Sequence, residues 1–129
     1  MAIKMMVLVK RKSGLTVEEF RDGYEGSHSR IAVELFGHLW SEYRRNYLQA
    51  GHSFAQGPRS GDTGSPDEFG YDAISEFILR DEAARAEMGR ISAENYDRLR
   101  EDEARWFELK HCWVVTCETI EEDLGRARV

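Results

Sequence analysis

The chain has 129 residues, 41% hydrophobic and 33% charged, with a formal net charge of -6. That length predicts one domain with a modest core, and the composition lies far from that of disordered chains. No stretch approaches the ~20 apolar residues of a membrane helix, no signal-peptide pattern opens the chain, and the acidity, concentrated after residue 50, argues against nucleic acid as a partner.

The elements follow in order. Ile3 to Lys10 is apolar on both parities, as in a strand covered on both faces. Thr16 followed by Glu19 forms a capping box and starts a helix that Gly23 and Gly26 interrupt; Ser27 then caps a second piece carrying Ile31, Leu35 and Leu39 on one face. Strand two is expected at about Tyr43 to Ala50, with soft alternation. Residues 51–70 hold five glycines, both prolines and three serines, and predict a long connection that can act as a lid. Tyr71 to Leu79 reads as strand three. A helical region runs from Asp81 to about Leu109 with breaks near Gly89 and Asp102, burying Met88, Ile91, Tyr96 and Leu99. Leu109 to Ile120 gives strand four, and 121–129 is a polar tail after a domain of residues 1–120. Cys112 and Cys117 lie at an odd offset in that last strand, which points them to opposite faces and keeps them from pairing; reduced thiols fit a cytoplasmic location.

Strand, helix, strand, strand, helix, strand is the split βαβ order. It predicts an α+β, ferredoxin-like βαββαβ domain: a four-stranded antiparallel sheet with helices on one face. Since strands one and four are apolar on both parities, the helix-free face needs a cover, and a second copy of the same sheet supplies it. The expected partner is therefore the chain itself, a homodimer through sheet faces that closes a dimeric α+β barrel.

The segment VKRKSGLTVEEFRDGYEGSH, with its basic strand end, capped Phe-Arg helix and His28, resembles the opening of EthD-type domains, and DEARWF from Asp102 resembles the acidic-aromatic turn those domains carry before their last strand. The resemblance implies a dimeric α+β barrel. It places the chain near methylmuconolactone isomerases, polyketide cyclases, aromatic decarboxylases and monooxygenases without bound cofactor, and near EthD itself, which resembles an accessory protein of ether degradation. The chain departs from that pattern around the presumed pocket: Gly23 and Tyr24 stand where many relatives have Tyr-Trp, and Ser29-Arg30 replace the usual Ala-Pro after the histidine.

His28 is the first candidate for chemistry, because imidazole moves protons near neutrality without a cofactor; the plainer alternative is a histidine that only satisfies polar groups at the helix break. His52, at the entry to the 51–70 loop, is either a second proton-transfer group, as in the isomerases, or a solvated loop residue. Tyr47, or Tyr43 in a shifted register, matches a pocket tyrosine of the relatives that binds a substrate carbonyl, and core packing is the alternative. On strand three Asp72 and Glu76 share a face; pointing inward they partner His28 or act as a base, pointing outward they form salt bridges. Tyr24 borders the presumed pocket, and Trp113 is either core or an aromatic wall for a flat substrate.

The loop GPRSGDTGS lacks the Gly-Lys-Ser/Thr ending of a phosphate loop, and no dinucleotide fingerprint, nucleophile elbow or metal-ligand spacing occurs. No metal or cofactor is expected. The sequence thus suggests a small cofactor-independent enzyme that transfers a proton on a flat carbonyl or aromatic compound, of isomerase, cyclase, decarboxylase or dehydratase type. A non-catalytic ligand-binding or accessory protein and a cofactor-free monooxygenase are the alternatives.

Overall fold

The computed structural model describes residues 1–56 and 61–125. Strands β1 (Ile3–Val9), β2 (Trp40–Tyr47), β3 (Ala73–Leu79) and β4 (Trp113–Cys117) form one antiparallel sheet in the order β2-β3-β1-β4. With its two helical crossovers this is the ferredoxin-like arrangement.

The register decides which side chains face the helices. Val7 pairs with Ser75 and Val114, and Phe77 pairs with Met5 and Tyr43. Residues opposite one another share a face, and on β3 Ala73, Ser75, Phe77 and Leu79 are buried while Ile74, Glu76 and Ile78 are only half-buried. The helices therefore cover the face of Val7 and Phe77. The opposite face carries Met6, Leu8, Ile74, Ile78 and Val115, with Glu76 paired to Lys4 and Arg44 among them.

Helix α1 (Val17–Gly23) starts as the capping box requires: the Thr16 hydroxyl accepts from the Glu19 amide, and the Glu19 carboxylate accepts from the Thr16 amide. The expected break after it does not occur. The backbone passes through one π-helical turn, Tyr24–His28, into α2 (Ser29–Phe36) without leaving right-handed helical dihedrals. Ser27 caps nothing; its hydroxyl donates to Asp102. Gly23 serves close approach rather than interruption, since a Cβ there would lie 2.1 Å from the Trp106 indole.

β2 begins three residues before its expected start and ends at Tyr47 rather than Ala50. Its alternation is real but disguised: Tyr43, Arg45 and Tyr47 face inward, and the inward arginine is neutralised by Glu25 at 2.6 and 2.7 Å while lying over the Tyr43 ring. β3 starts at Ala73, two residues later than its apolar pattern, although the Asp72 backbone still bonds Val9 and Leu48. The second helical region divides into α4 (Glu82–Glu94) and α5 (Tyr96–Trp106), and the break falls at Asn95 instead of Gly89 or Asp102. Both the backbone N–H and the side-chain amide of Asn95 donate to the Ile91 carbonyl, which closes the last turn of α4. Met88, Ile91 and Leu99 pack on the core, whereas Tyr96 is 55% exposed. One 3₁₀ turn at Leu109–His111 takes the first residues expected in strand four.

Within the 51–70 connection, a 3₁₀ turn at Phe54–Gln56 and the short helix α3 (Pro66–Phe69) flank a bridge between Gly51 and Gly64. Residues 57–60 of the expected lid and 126–129 of the expected tail lie outside the described residues. Two apolar clusters fill the space under the helices. One joins Phe36 and Trp40 to Phe77 and Leu79; the other joins Phe20 and Tyr24 to Val9 and Phe107.

Candidate functional site

Between those clusters lies a cavity of about 280 Å³, bounded by the inner sheet face, the π turn, α2 and α5. Its wall is mostly apolar, with Phe36, Phe77 and Phe107 among the lining residues; polar groups come from Tyr24, His28, Tyr43, Arg100 and Glu103. An apolar enclosure with a few converging polar groups is the usual form of a small-molecule site.

His28 ends the π turn, a local form that recurs at functional positions because the extra residue re-aims a side chain. Its ring packs edge-on against Phe107 at 5.0 Å, and its Nδ1 lies 3.2 Å from Asp102 Oδ2. Asp102 is itself buried and accepts from the Ser27 hydroxyl at 2.7 Å and, more distantly, from the Trp106 indole at 3.4 Å. A carboxylate facing Nδ1 fixes the proton of a neutral imidazole there and leaves the Nε2 lone pair free. Nε2 lies 3.9 Å from Glu103 Oε2, too far for a direct hydrogen bond. Burial holds the His28 pKa below its ordinary 6.5 against the pull of Asp102, and burial raises that of Glu103 against Arg100. The pair is thus a proton acceptor with a carboxyl group, biased towards its neutral form, beside it.

Of the residues nominated from sequence, His28, Tyr24, Tyr43 and Trp113 border this cavity. Tyr24 is buried, with its hydroxyl 2.7 Å from that of Ser75. Trp113 stands at the rim, 60% exposed, because its pairing with Leu8 turns the side chain towards the helix-free face. The other four lie elsewhere. Tyr47 donates to Glu25, whose carboxyl Arg45 holds down to about 2. His52 pairs with Asp62 at 2.7 Å in the loop. Asp72 does not partner His28: it accepts from the Arg11 amide at 2.8 Å and faces Lys10 and the Arg11 side chain, which explains the basic strand end. Glu76 sits on the helix-free face with Lys4 and Arg44, the outward alternative.

Asp102 and Glu103 were not nominated for chemistry. A usable signal existed, since Leu99, Asp102 and Trp106 fall on one helical face, and a carboxylate on an apolar face demands a partner. Among the described residues, no three His, Cys, Asp or Glu side chains gather as a metal site, and no helix is long and apolar enough to cross a membrane.

A family model described as EthD domain matches residues 12–110. An EthD-like protein of Ralstonia eutropha JMP134 superposes with TM-score 0.60 at 16% identity, over 97% of each chain. An ethyl tert-butyl ether D (EthD) family protein of Bacillus halodurans C-125 gives 0.61 at 11% identity, over 93% of this chain and all of that one. A dimeric ferredoxin-like protein of unknown function from Jannaschia sp. CCS1 gives 0.51 at 14% identity, over 92% of this chain and all of that one. No curated protein matches the chain.

Proposed function

This chain belongs to the EthD domain family, and we propose that it is a small enzyme that moves a proton on a flat, partly apolar carbonyl compound held between the sheet and its helices. The observation that carries this reading is the buried Asp102–His28 pair at 3.2 Å, whose free Nε2 belongs to a residue of the cavity wall. As general base, Nε2 takes a proton from carbon beside the carbonyl; the bonding electrons pass to the carbonyl oxygen, and return of a proton to another position completes an isomerisation. Glu103 is placed to give or relay that second proton. The chemistry of these side chains needs no added cofactor.

Tyr47 has no part in this scheme, because its hydroxyl is committed to Glu25; Tyr43, on the cavity wall, is the tyrosine in position to meet a substrate oxygen. The working form is a homodimer through the helix-free sheet face. Support comes from the half-buried Met6, Leu8, Ile74, Ile78 and Val115 on that face and from the dimeric relative of the same fold.

Solvent exchange tests the proposal. In deuterium oxide the protein should accelerate loss of the α-protons of 2-tetralone, and His28→Ala should abolish the acceleration without unfolding the chain. Binding of 2-tetralone with no acceleration by wild type would favour the non-catalytic accessory role instead, for which the apolar cavity alone suffices.

A further inference from the structure

Tyr43 and Arg45 are successive inward residues of β2, and the arginine stem folds back along the strand so that its Cζ lies 4.8 Å from the centre of the Tyr43 ring. Two charged bonds, 2.6 and 2.7 Å long, fix that guanidinium to Glu25 of the π turn. The Glu25 side chain is 40% exposed and also accepts from Tyr47, so its charge stays hydrated. An arginine on the covered face of a sheet is a poor choice for stability alone, since apolar side chains in place of a buried ion pair are often neutral or stabilising. Tyr43 lines the cavity with this arginine over its ring, and a charge placed there points to a use in the site.

The same contacts lead back to His28. Arg45 pairs across the sheet with Ser75, whose hydroxyl stands 2.7 Å from that of Tyr24, and the Tyr24 ring adjoins that of His28 at 5.9 Å. One turn of chain, Tyr24–His28, therefore presents the base at its end and holds the arginine through Glu25. A cation over the face of a phenol draws on its ring electrons, which makes the hydroxyl a stronger hydrogen-bond donor. Burial raises the Tyr43 pKa and Arg45 opposes the rise, so the hydroxyl keeps its proton while its donation strengthens.

We infer that Arg45 is a positioning residue of the proton-transfer reaction: it acts through Tyr43, holding the ring and strengthening the hydroxyl that donates to the substrate oxygen. The inference rests on the proposed function and supplies the half of the site that receives negative charge. When Nε2 of His28 takes the proton from carbon, the C–H electron pair forms the C=C bond of an enolate and the carbonyl π pair moves to oxygen. The Tyr43 hydroxyl bonds that oxygen and keeps its own proton, and the Arg45 charge behind the ring favours the negative oxygen through it. No oxidant or reductant is required. Glu25 touches no substrate and serves to hold Arg45 over the ring.

The test is a double-mutant cycle on solvent exchange of 2-tetralone. Tyr43→Phe should lower the rate about 10²–10³-fold, the loss expected for one donor to a developing oxyanion. Arg45→Met, which keeps the stem and removes the charge, should lower it about tenfold, within the range of a desolvated cation over a ring, and should slow the Tyr43→Phe protein no further. If Arg45→Met does not fold, Glu25→Gln/Arg45→Met, which removes the pair whole, takes its place in the cycle. Equal slowing in both backgrounds, or none in either, would mean that Arg45 does not act through Tyr43 and would leave the proton-transfer reading intact. Binding of 2-naphthol, the aromatic counterpart of the enol, separates the failures: its naphtholate absorbance should be stronger on wild type than on Arg45→Met. That difference without exchange by wild type would overturn the proton-transfer reading and keep the coupling of Arg45 to Tyr43, whereas no difference and no exchange would overturn both.

Discussion

Asp102 on α5 holds the Nδ1 of His28, seventy-four positions earlier in the chain, at 3.2 Å, and the contact ties the π turn to the last helix. The Ser27 hydroxyl and Trp106 indole converge on the other oxygen of the same carboxylate. Asp102→Asn replaces one acceptor with a donor, so either His28 must shift its proton to Nε2 or the amide must face Ser27 and Trp106. We expect a loss of about 10²–10⁴-fold in proton-transfer rate, the usual contribution of a positioned base, and about 1–3 kcal/mol of stability for the mismatched buried group. Urea unfolding alongside solvent exchange separates the two effects. An unchanged exchange rate in a folded Asn variant would remove Asp102 from the chemistry.

Gly23 and Gly26 read alike in sequence but differ in surroundings. A Cβ at Gly23 would meet the Trp106 ring at 2.1 Å, whereas one at Gly26 has nothing within 4 Å. Gly23→Ala should therefore cost about 1–3 kcal/mol through overpacking, while Gly26→Ala should be neutral or stabilise by up to about 1 kcal/mol. Thermal melts of the two variants decide it; equal melting temperatures would mean that α1 and α5 do not approach so closely.

The four-stranded antiparallel sheet and the order of its elements along the chain were legible because they depend on patterns that sequence carries: the capped start at Thr16, the β3 alternation, and the apolar runs of β1 and β4. Boundaries moved where one side chain satisfied a need that pattern alone does not reveal. Arg45 is an inward charge matched by Glu25 across twenty residues, so β2 read as irregular. Asp102 read as a helix break, yet Ser27 and His28 from the π turn and Trp106 one turn later on the same helix hold it. His28 and Tyr24, both nominated from sequence, line the cavity, but the partner of His28 was sought on strand three, where the side-chain parity was ambiguous; Asp72 is instead claimed by Arg11 and Lys10.

Acid should destabilise the fold in part through His28. Its folded pKa is lowered by burial, so below the ordinary 6.5 the unfolded chain takes a proton that the folded chain refuses, and stability falls with pH until the folded pKa is reached. Glu103 works the other way: its folded pKa is raised by burial above the ordinary 4.5, so its burial destabilises the fold above that folded pKa and is relieved as it protonates. Between pH 7 and 5 the advantage of wild type over His28→Gln should shrink, and Glu103→Gln should steepen the wild-type loss. Parallel stability curves for wild type and His28→Gln would show that His28 titrates alike in both states.

Leu8 pairs with Ile74 and Trp113 across the helix-free face. If that face joins two copies, Leu8→Glu should convert a dimer to a folded monomer by sedimentation equilibrium, with little change in far-ultraviolet circular dichroism. A wild type that sediments as a monomer would place the dimer proposal in error.

The most direct test of the proposed chemistry needs no ligand. Long-range 1H–15N NMR of the imidazoles, titrated from pH 8 to 5 with His28→Gln as the assignment control, should show His28 with its proton on Nδ1 and a bare Nε2, titrating below the ordinary 6.5. A proton on Nε2 in the neutral form, or titration above that value, would mean that the nitrogen assigned as base is not available to act as one.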